Sequence, residues 1–427
     1  MANYTNWTKE QLTHEHSILT ELVSKYKAQN LQLNMTRGKP GKEQLDLSMG
    51  ILDCITSQSN LNDSLDGTDC RNYSTPATLA GTKEARQFFA DYLGVNEDET
   101  FILGTSSLQF MYDCLSRAML TGVLGSDRPW MMDKPKFLCP VPGYDRHFAI
   151  CAFLGIEMIN IPIKEDGPDM DLVEKLVSED ASIKGMWCIP KYSNPTGTTY
   201  SDEVIHRLAA LRPLAKDFRI FCDNAYAYHP IYEDVPMCNI LEAFKNAGNA
   251  NMLYLFSSTN KVTFPGAAVA CFGGSKENVE FMMKQLSQQM IGYDKINTLR
   301  HIRYFKDLNG IKEHMKKHTD IIRPKFDIVI EGLTSELISR GVGDFTAPKG
   351  GYFITYYAPK GCAANIVALC KEMGVALTNA GAAYPYGKDE DDSCIRIAPT
   401  FATIDELKIA VEVFCVASRL VAIEKLL

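Results

Sequence analysis

The sequence has no apolar run approaching the roughly 18–20 residues needed to cross a bilayer. That excludes a membrane-spanning helix. Its start, Met1-Ala-Asn-Tyr-Thr-Asn-Trp-Thr-Lys-Glu10, lacks the apolar core of a secretory signal, so a cytoplasmic protein is expected. The 13 cysteines include no Cys-x-x-Cys pair, and the eight histidines include no His-Glu-x-x-His pattern. Several cysteines, among them Cys188, Cys222 and Cys271, lie inside apolar strands. The expectation is reduced core thiols, with neither a disulfide framework nor a metal site. Positive charge is in deficit: 44 Lys and Arg face 52 Asp and Glu, a net charge of −8. That balance argues against nucleic acid or an anionic membrane as the main partner. Internal repeats, low-complexity tracts and long charge runs are also missing. What remains is a 427-residue chain, 46% hydrophobic and 22% charged, with the composition of a soluble globular protein of more than one domain.

The hydrophobic pattern is informative where it alternates. Between about residues 80 and 275, helix-like stretches (Thr82–Tyr92, Leu108–Leu120, Asp169–Ser178, Asp202–Leu211) separate short apolar strands. The strands are Lys136–Cys139, Glu157–Ile161, Gly185–Ile189, Arg219–Cys222, Met252–Phe256 and Ala268–Phe272, with a further one at Phe101. This alternation predicts an α/β layer around a mostly parallel sheet, whose ligands bind beyond the carboxyl ends of the strands. Flanking it are an amphipathic helix from Thr8 to about Asn30, with Leu12, Ile18, Leu19, Leu22, Val23 and Tyr26 on one stripe, and a last helix from Thr403 to about Glu424. A strand is expected over Pro348–Tyr356. The plan is one large central domain and a smaller one built from both termini.

Polar residues in or just after apolar runs carry the chemistry. Lys261 follows Asn251-Met-Leu-Tyr-Leu-Phe256, where a partly desolvated amine can be neutral and form an imine. A lysine at random is a surface charge, so its neighbours decide. Asp223 ends Phe218-Arg-Ile-Phe-Cys-Asp223. A carboxylate there is costly unless paired, and a protonated pyridine nitrogen would pair it; a helix cap or a turn would also explain it. Asn194, in Ser193-Asn-Pro-Thr-Gly197, and Tyr226 would both reach the ring oxygen beside the imine, although Asn194 also suits the turn it begins. The turn after Phe101-Ile-Leu-Gly-Thr105 offers Ser106, Ser107 and the amide of Leu108 as a phosphate cradle, with Ser258 adding a hydroxyl. Arg396 lies among apolar residues in Ser393-Cys-Ile-Arg-Ile-Ala-Pro-Thr400, either as a structural ion pair or as a bidentate clamp for an α-carboxylate. Together these outline a site for pyridoxal 5'-phosphate (PLP).

With these residues in place, the chain resembles the fold-type I PLP-dependent aminotransferases of class I and II, from about Arg37 to Phe414. The marks run in family order: Gly38-Lys-Pro40, Tyr73 to Gly81, Ser106-Ser107, Pro142-Gly-Tyr144, Asn194-Pro-Thr-Gly197, Asp223-Asn-Ala-Tyr226, Ser258-x-x-Lys261, Gly350-Gly-Tyr-Phe353 and Arg396. More narrowly, Thr36-Arg-Gly-Lys-Pro40, Pro142-Gly-Tyr-Asp-Arg-His147, Pro385-Tyr-Gly-Lys-Asp389 and Ile395-Arg-Ile-Ala-Pro-Thr-Phe401 are similar to a bacterial aspartate aminotransferase subgroup. The resemblance implies an α/β fold of that type: a large domain, 50–310, with a mostly parallel seven-stranded sheet, and a smaller α/β domain from 1–49 and 311–427. It implies Lys261 as the lysine that holds PLP and shuttles the proton. It further implies Asp223 as the pyridinium partner, Tyr144 as the ring stacked on the cofactor, and Arg396 as the α-carboxylate clamp, helped by Gly38 and Asn194. Tyr73 is similar to a tyrosine that reaches the phosphate of a neighbouring subunit, which implies a homodimer.

Two departures stand out. The family ordinarily has an arginine soon after Pro-Gly to bind phosphate, where this chain reads Pro265-Gly-Ala-Ala268; the residue before the lysine, often serine, is Asn260. A basic residue in Ile291–Arg300 is expected to replace the arginine, Lys295 first, from the same or the partner chain. The implied reaction is ping-pong transamination between an L-amino acid, aspartate first, and 2-oxoglutarate. Arg37, ahead of Lys39, Arg146 and Arg303, is the expected contact for a side-chain carboxylate. Aromatic, alanine or 2-aminoadipate specificity, β-lyase or decarboxylase chemistry share the core residues. A PLP-binding transcription regulator would need some 60–70 residues of DNA-binding domain ahead of the Gly38 loop, and only 37 precede it.

Overall fold

Alternation along the middle of the chain builds the sheet. The computed structural model describes residues 3–427. Eight strands align in the order Thr100–Ile102, Ala270–Gly274, Leu253–Ser258, Arg219–Asp223, Ile183–Cys188, Lys136–Val141, Glu157–Lys164 and Gly167–Pro168. Ala270–Gly274 and Gly167–Pro168 run against the others, and the remaining strands are parallel. Seven match the strands expected from the pattern. The eighth, a two-residue return at the edge, is too short to show a period. Buried parallel strands are apolar on both faces, and here successive residues divide between two cores. Ile220 and Cys222 enter one core and Phe221 the other; Leu253 and Leu255 divide likewise from Tyr254 and Phe256.

The crossover helices begin where caps place them. Thr82, Asp169 and Ser201 accept from the backbone amides of Ala85, Leu172 and Val204, at the starts of Lys83–Leu93, Met170–Glu179 and Asp202–Ala209. Gly94, at φ 71°, closes the first of these in the left-handed conformation. Each agrees with the expected helix to within about two residues.

A third core joins the two ends of the chain. Helix Lys9–Ala28 contributes Leu12, Leu19 and Val23, and helix Ile404–Leu426 contributes Leu407, Phe414 and Leu420. Ile18, expected on the apolar stripe, is exposed: it stands about 100° round the helix from Leu19. Helix Leu308–Glu336 serves two cores, Ile311 and Met315 facing the sheet and Ile322, Phe326 and Leu333 the terminal core. Two small sheets complete this end. Leu33–Asn34 pairs in parallel with Val375–Ala376, and Ile354–Tyr357 lies between Asp344–Phe345 and Cys394–Ile397, antiparallel to both. The strand expected over Pro348–Tyr356 is shorter than its pattern. Its first half is a turn, with Gly351 at φ 87°, that bridges Pro230 through Gly350.

Gly185 marks the tightest packing inside the sheet. A Cβ there would stand 2.2 Å from Cζ of Phe137. Gly185→Ala is expected to destabilise the fold by about 1–3 kcal/mol, read as a lower urea-unfolding midpoint. An unchanged midpoint would contradict this packing.

Candidate active site

The parallel strands all end on one side, and the candidate residues gather there. Asp223 is the last residue of its strand, Lys261 stands three past Ser258, Asn194 six past Cys188 and Tyr144 three past Val141. Leu33–Asn34 brings Arg37 and Gly38 to the same place; its partner Val375–Ala376 brings Thr378, and Cys394–Ile397 brings Arg396. All of these but Asp223 line a cavity of about 640 Å³ that takes in Arg37, Gly38, Leu108, Tyr144, Asn194, Tyr226, Lys261 and Arg396.

Lys261 faces this cavity from an otherwise closed setting. Its Nζ lies 4.8 Å from the centre of the Tyr226 ring and 6.0 Å from that of Tyr352. Burial pushes its pKa below the ordinary lysine value, against the pull of Asp223, which raises it. The neutral amine therefore forms at lower pH than on a surface lysine.

Asp223 is buried beside His147, whose Nε2 makes no hydrogen bond. Its Oδ2 lies 3.2 Å from His147 Nε2, and its Oδ1 has no hydrogen-bond partner. His147 lies flat on Trp187, with ring centres 4.2 Å apart and an 8° interplanar angle. A buried carboxylate oxygen without a partner calls for a donor, and a protonated ring nitrogen is one. Tyr144 and Tyr226 stay neutral phenols: burial pushes Tyr144 up to about 12 and Tyr226 well above its usual value.

The expected phosphate cradle also assembles. Helix Ser107–Thr121 begins at Ser106 with no side-chain cap on its first amides, which leaves N–H groups for an anion. Ser107 Oγ lies 3.5 Å from Ser258 Oγ. Asn260 ties the loops together: it accepts from Ser258 Oγ at 2.6 Å and donates to the carbonyls of Thr105 and Pro265 at 3.0 and 3.1 Å. Ala268 is fully buried, and its carbonyl accepts from Asn297 at 2.9 Å. A lysine of lowered pKa, an unpartnered carboxylate oxygen and an uncapped helix start fit PLP.

Arg396 is buried. It donates from Nη1 to Asp145 Oδ1 at 3.0 Å and to Asn194 Oδ1 at 3.4 Å, and from Nη2 to Thr378 Oγ1 at 3.1 Å and to the carbonyl of Thr36 at 3.5 Å. The Phe353 ring covers it at 4.9 Å, and Gly38 is packed against that ring. Arg37, Lys39 and Arg146 are exposed at the cavity's edge.

Three candidates lie elsewhere. Tyr73, 78% exposed, shares a separate cleft of about 680 Å³ with Lys295. Lys295 donates to Ser74 Oγ at 3.2 Å. Arg303 does not line the Lys261 cavity and donates to the carbonyl of Asn60. Sequence reasoning missed His147, Asp145, Thr378 and a brace behind Lys261. In that brace Tyr352 Oη and His229 Nε2 reach the Lys261 carbonyl at 3.4 and 3.3 Å, and Gln44 donates to Tyr352 Oη at 2.9 Å. His147 had a signal, three residues after Tyr144 at a helix start. The brace joins residues distant in sequence and had none.

The fold and this constellation define a fold-type I PLP enzyme. The family model for aspartate amino-transferase matches residues 7–427, and the chain belongs to that family of PLP-dependent aminotransferases. It is 41% identical over 399 residues to the aspartate aminotransferase of Corynebacterium glutamicum, covering 93% of this chain and 91% of that one. The crystal structure of an aspartate transaminase from the same species superposes with a TM-score of 0.95 at 39% identity, over 99% of both chains. LysN, an α-aminoadipate aminotransferase of Thermus thermophilus solved with N-(5'-phosphopyridoxyl)-L-leucine, shares the fold at TM-score 0.72 and 20% identity, over 96% of each chain.

Burial lowers His229 and His318 to about 3 and His301 to about 4, from an ordinary 6.5. The folded protein then binds fewer protons than the unfolded chain in that window. Their stabilising contribution is full above about pH 6.5 and is lost as pH falls toward 4. The melting temperature is expected to drop across that range, and His318→Gln to reduce the slope. A flat profile would contradict neutral burial of these rings.

Proposed function

We propose that this enzyme transfers the amino group of L-aspartate to 2-oxoglutarate by a ping-pong route. One observation carries the reading: Lys261, its pKa lowered by burial, lines the same cavity as Arg396 and feels the charge of Asp223, a buried carboxylate with an oxygen that lacks a partner. PLP, when bound, supplies an electron sink conjugated to the substrate's α-carbon. Lys261 holds the cofactor through Nζ and, once freed, takes and returns the α-proton there. Asp223, steadied by His147, keeps the ring nitrogen protonated. With PLP bound, Tyr226 and Asn194 would hold the ring oxygen and Tyr144 would cover the ring. Ser106, Ser107, the Leu108 amide and Ser258 hold the phosphate.

The phosphate still lacks a cation, because Ala268 stands where an arginine is expected. Lys295 is the candidate. It shares a surface cleft with exposed Tyr73, away from Lys261. The exposure of Tyr73 there supports its acting on a second copy's site in a homodimer; Lys295 lines the same cleft, buried and donating to Ser74. Arg396 grips the α-carboxylate, with Asn194 beside it and Gly38 below. Arg37 takes the side-chain carboxylate at a cavity edge that also carries Lys39 and Arg146. The likeness to an aspartate aminotransferase at 41% identity supports aspartate as the donor.

Half-reactions read from cofactor absorbance test the substrate. Aspartate is expected to convert the PLP form faster than alanine or phenylalanine, and Arg37→Ala to raise KM for aspartate about tenfold or more with little effect on alanine. Faster conversion of alanine or phenylalanine would sink the aspartate assignment. Lys295→Ala is expected to weaken PLP affinity at equilibrium; unchanged affinity would remove Lys295 from the phosphate site.

A further inference from the structure

Among the described residues, the cavity is lined by the basic side chains of Arg37, Lys39, Arg146 and Arg396, by Lys261, and by one carboxylate, Asp145. That carboxylate is bound to Arg396, the buried arginine, while Arg37, Lys39 and Arg146 are exposed. Arg396 Nη1 donates to Asp145 Oδ1 at 3.0 Å, and its other partners, Asn194, Thr378 and the Thr36 carbonyl, are neutral. A buried guanidinium needs a counter-charge, and Asp145 supplies it. An incoming α-carboxylate that binds end-on, across Nη1 and Nη2, needs the position that Asp145 occupies on Nη1.

We propose that Asp145 is a resident counter-ion, held on Arg396 until the substrate's α-carboxylate displaces it, and that it thereby sets the affinity of the site for carboxylates. The inference rests on Arg396 as the α-carboxylate clamp. Displacement favours the substrate because two parallel hydrogen bonds replace the single bond Asp145 makes. The released side chain has somewhere to go. Asp145 is the first residue of helix Asp145–Phe153, whose cap residue, Tyr144, makes no side-chain hydrogen bond to the first amides. A carboxylate at a helix start interacts favourably with those amides and with the dipole. The same turn carries Tyr144 into the cavity and His147 to Asp223. Exchange at Arg396 therefore occurs one turn from the groups that flank the cofactor ring.

Calorimetric titration of the holoenzyme with maleate, a dicarboxylate with no amine to react, tests this. Asp145→Asn and Asp145→Ala are expected to bind maleate about three- to tenfold more tightly than wild type, and Arg396→Met to lose binding. A purely structural role for Asp145 would weaken binding in both Asp145 variants. Equal or weaker binding in both, with binding lost in Arg396→Met, would overturn the counter-ion and leave the clamp standing. Wild-type binding by Arg396→Met would overturn the clamp and the counter-ion with it.

Discussion

A lysine amine loses its proton more readily where water is largely excluded, and excluding water raises the cost of every other charge nearby. Much of this structure follows from that constraint at Lys261. The sheet supplies the dry floor, because its central strands are buried on both faces. Asp223 then sits where an isolated carboxylate is costly. His147, stacked on Trp187, lies 3.2 Å from one of its oxygens, and the other has no hydrogen-bond partner. Burial that lowers the lysine also keeps Tyr144 and Tyr226 protonated, as hydrogen-bond donors rather than competing anions.

The second constraint is delivery. The sheet provides the Lys261 half of the cavity, and the chain ends provide the Arg396 half. A two-residue parallel pairing, Leu33 with Val375 and Asn34 with Ala376, sets Arg37 and Gly38 beside Thr378. Arg396 comes from a strand whose partner across the ladder is Thr355. Phe353 then joins the halves, lying over Arg396 with Gly38 packed against it. A side chain at position 38 would force that ring aside.

Lys261, Asp223, Asn194 and Tyr226 stand out as candidates because each follows or ends an apolar run, and Arg396 because it lies within one, where a polar group needs a reason. The seven longer strands and the crossover helices were legible because each spans more than one period of its pattern. Gly167–Pro168 and Leu33–Asn34 are too short for that. The turn Pro348–Phe353 looked like a strand because its aromatic residues satisfy a β pattern, while the left-handed Gly351 breaks the extension. Asp145 and His147 were present in a quoted motif without roles. Their partners, Arg396 and Asp223, lie 251 and 76 residues away, and periodicity says nothing about such pairs. Tyr73 and Lys295 show the same limit: the sequence did not tell that they share a cleft apart from Lys261.

The central claim is that Lys261 is the lysine that holds the cofactor. Borohydride reduction of the holoenzyme, followed by proteolysis and mass spectrometry, fixes the cofactor on whichever lysine bears it. The account predicts a phosphopyridoxyl group on the peptide containing Lys261 and on no other peptide. The same label on a different lysine, with the Lys261 peptide unmodified, would contradict it.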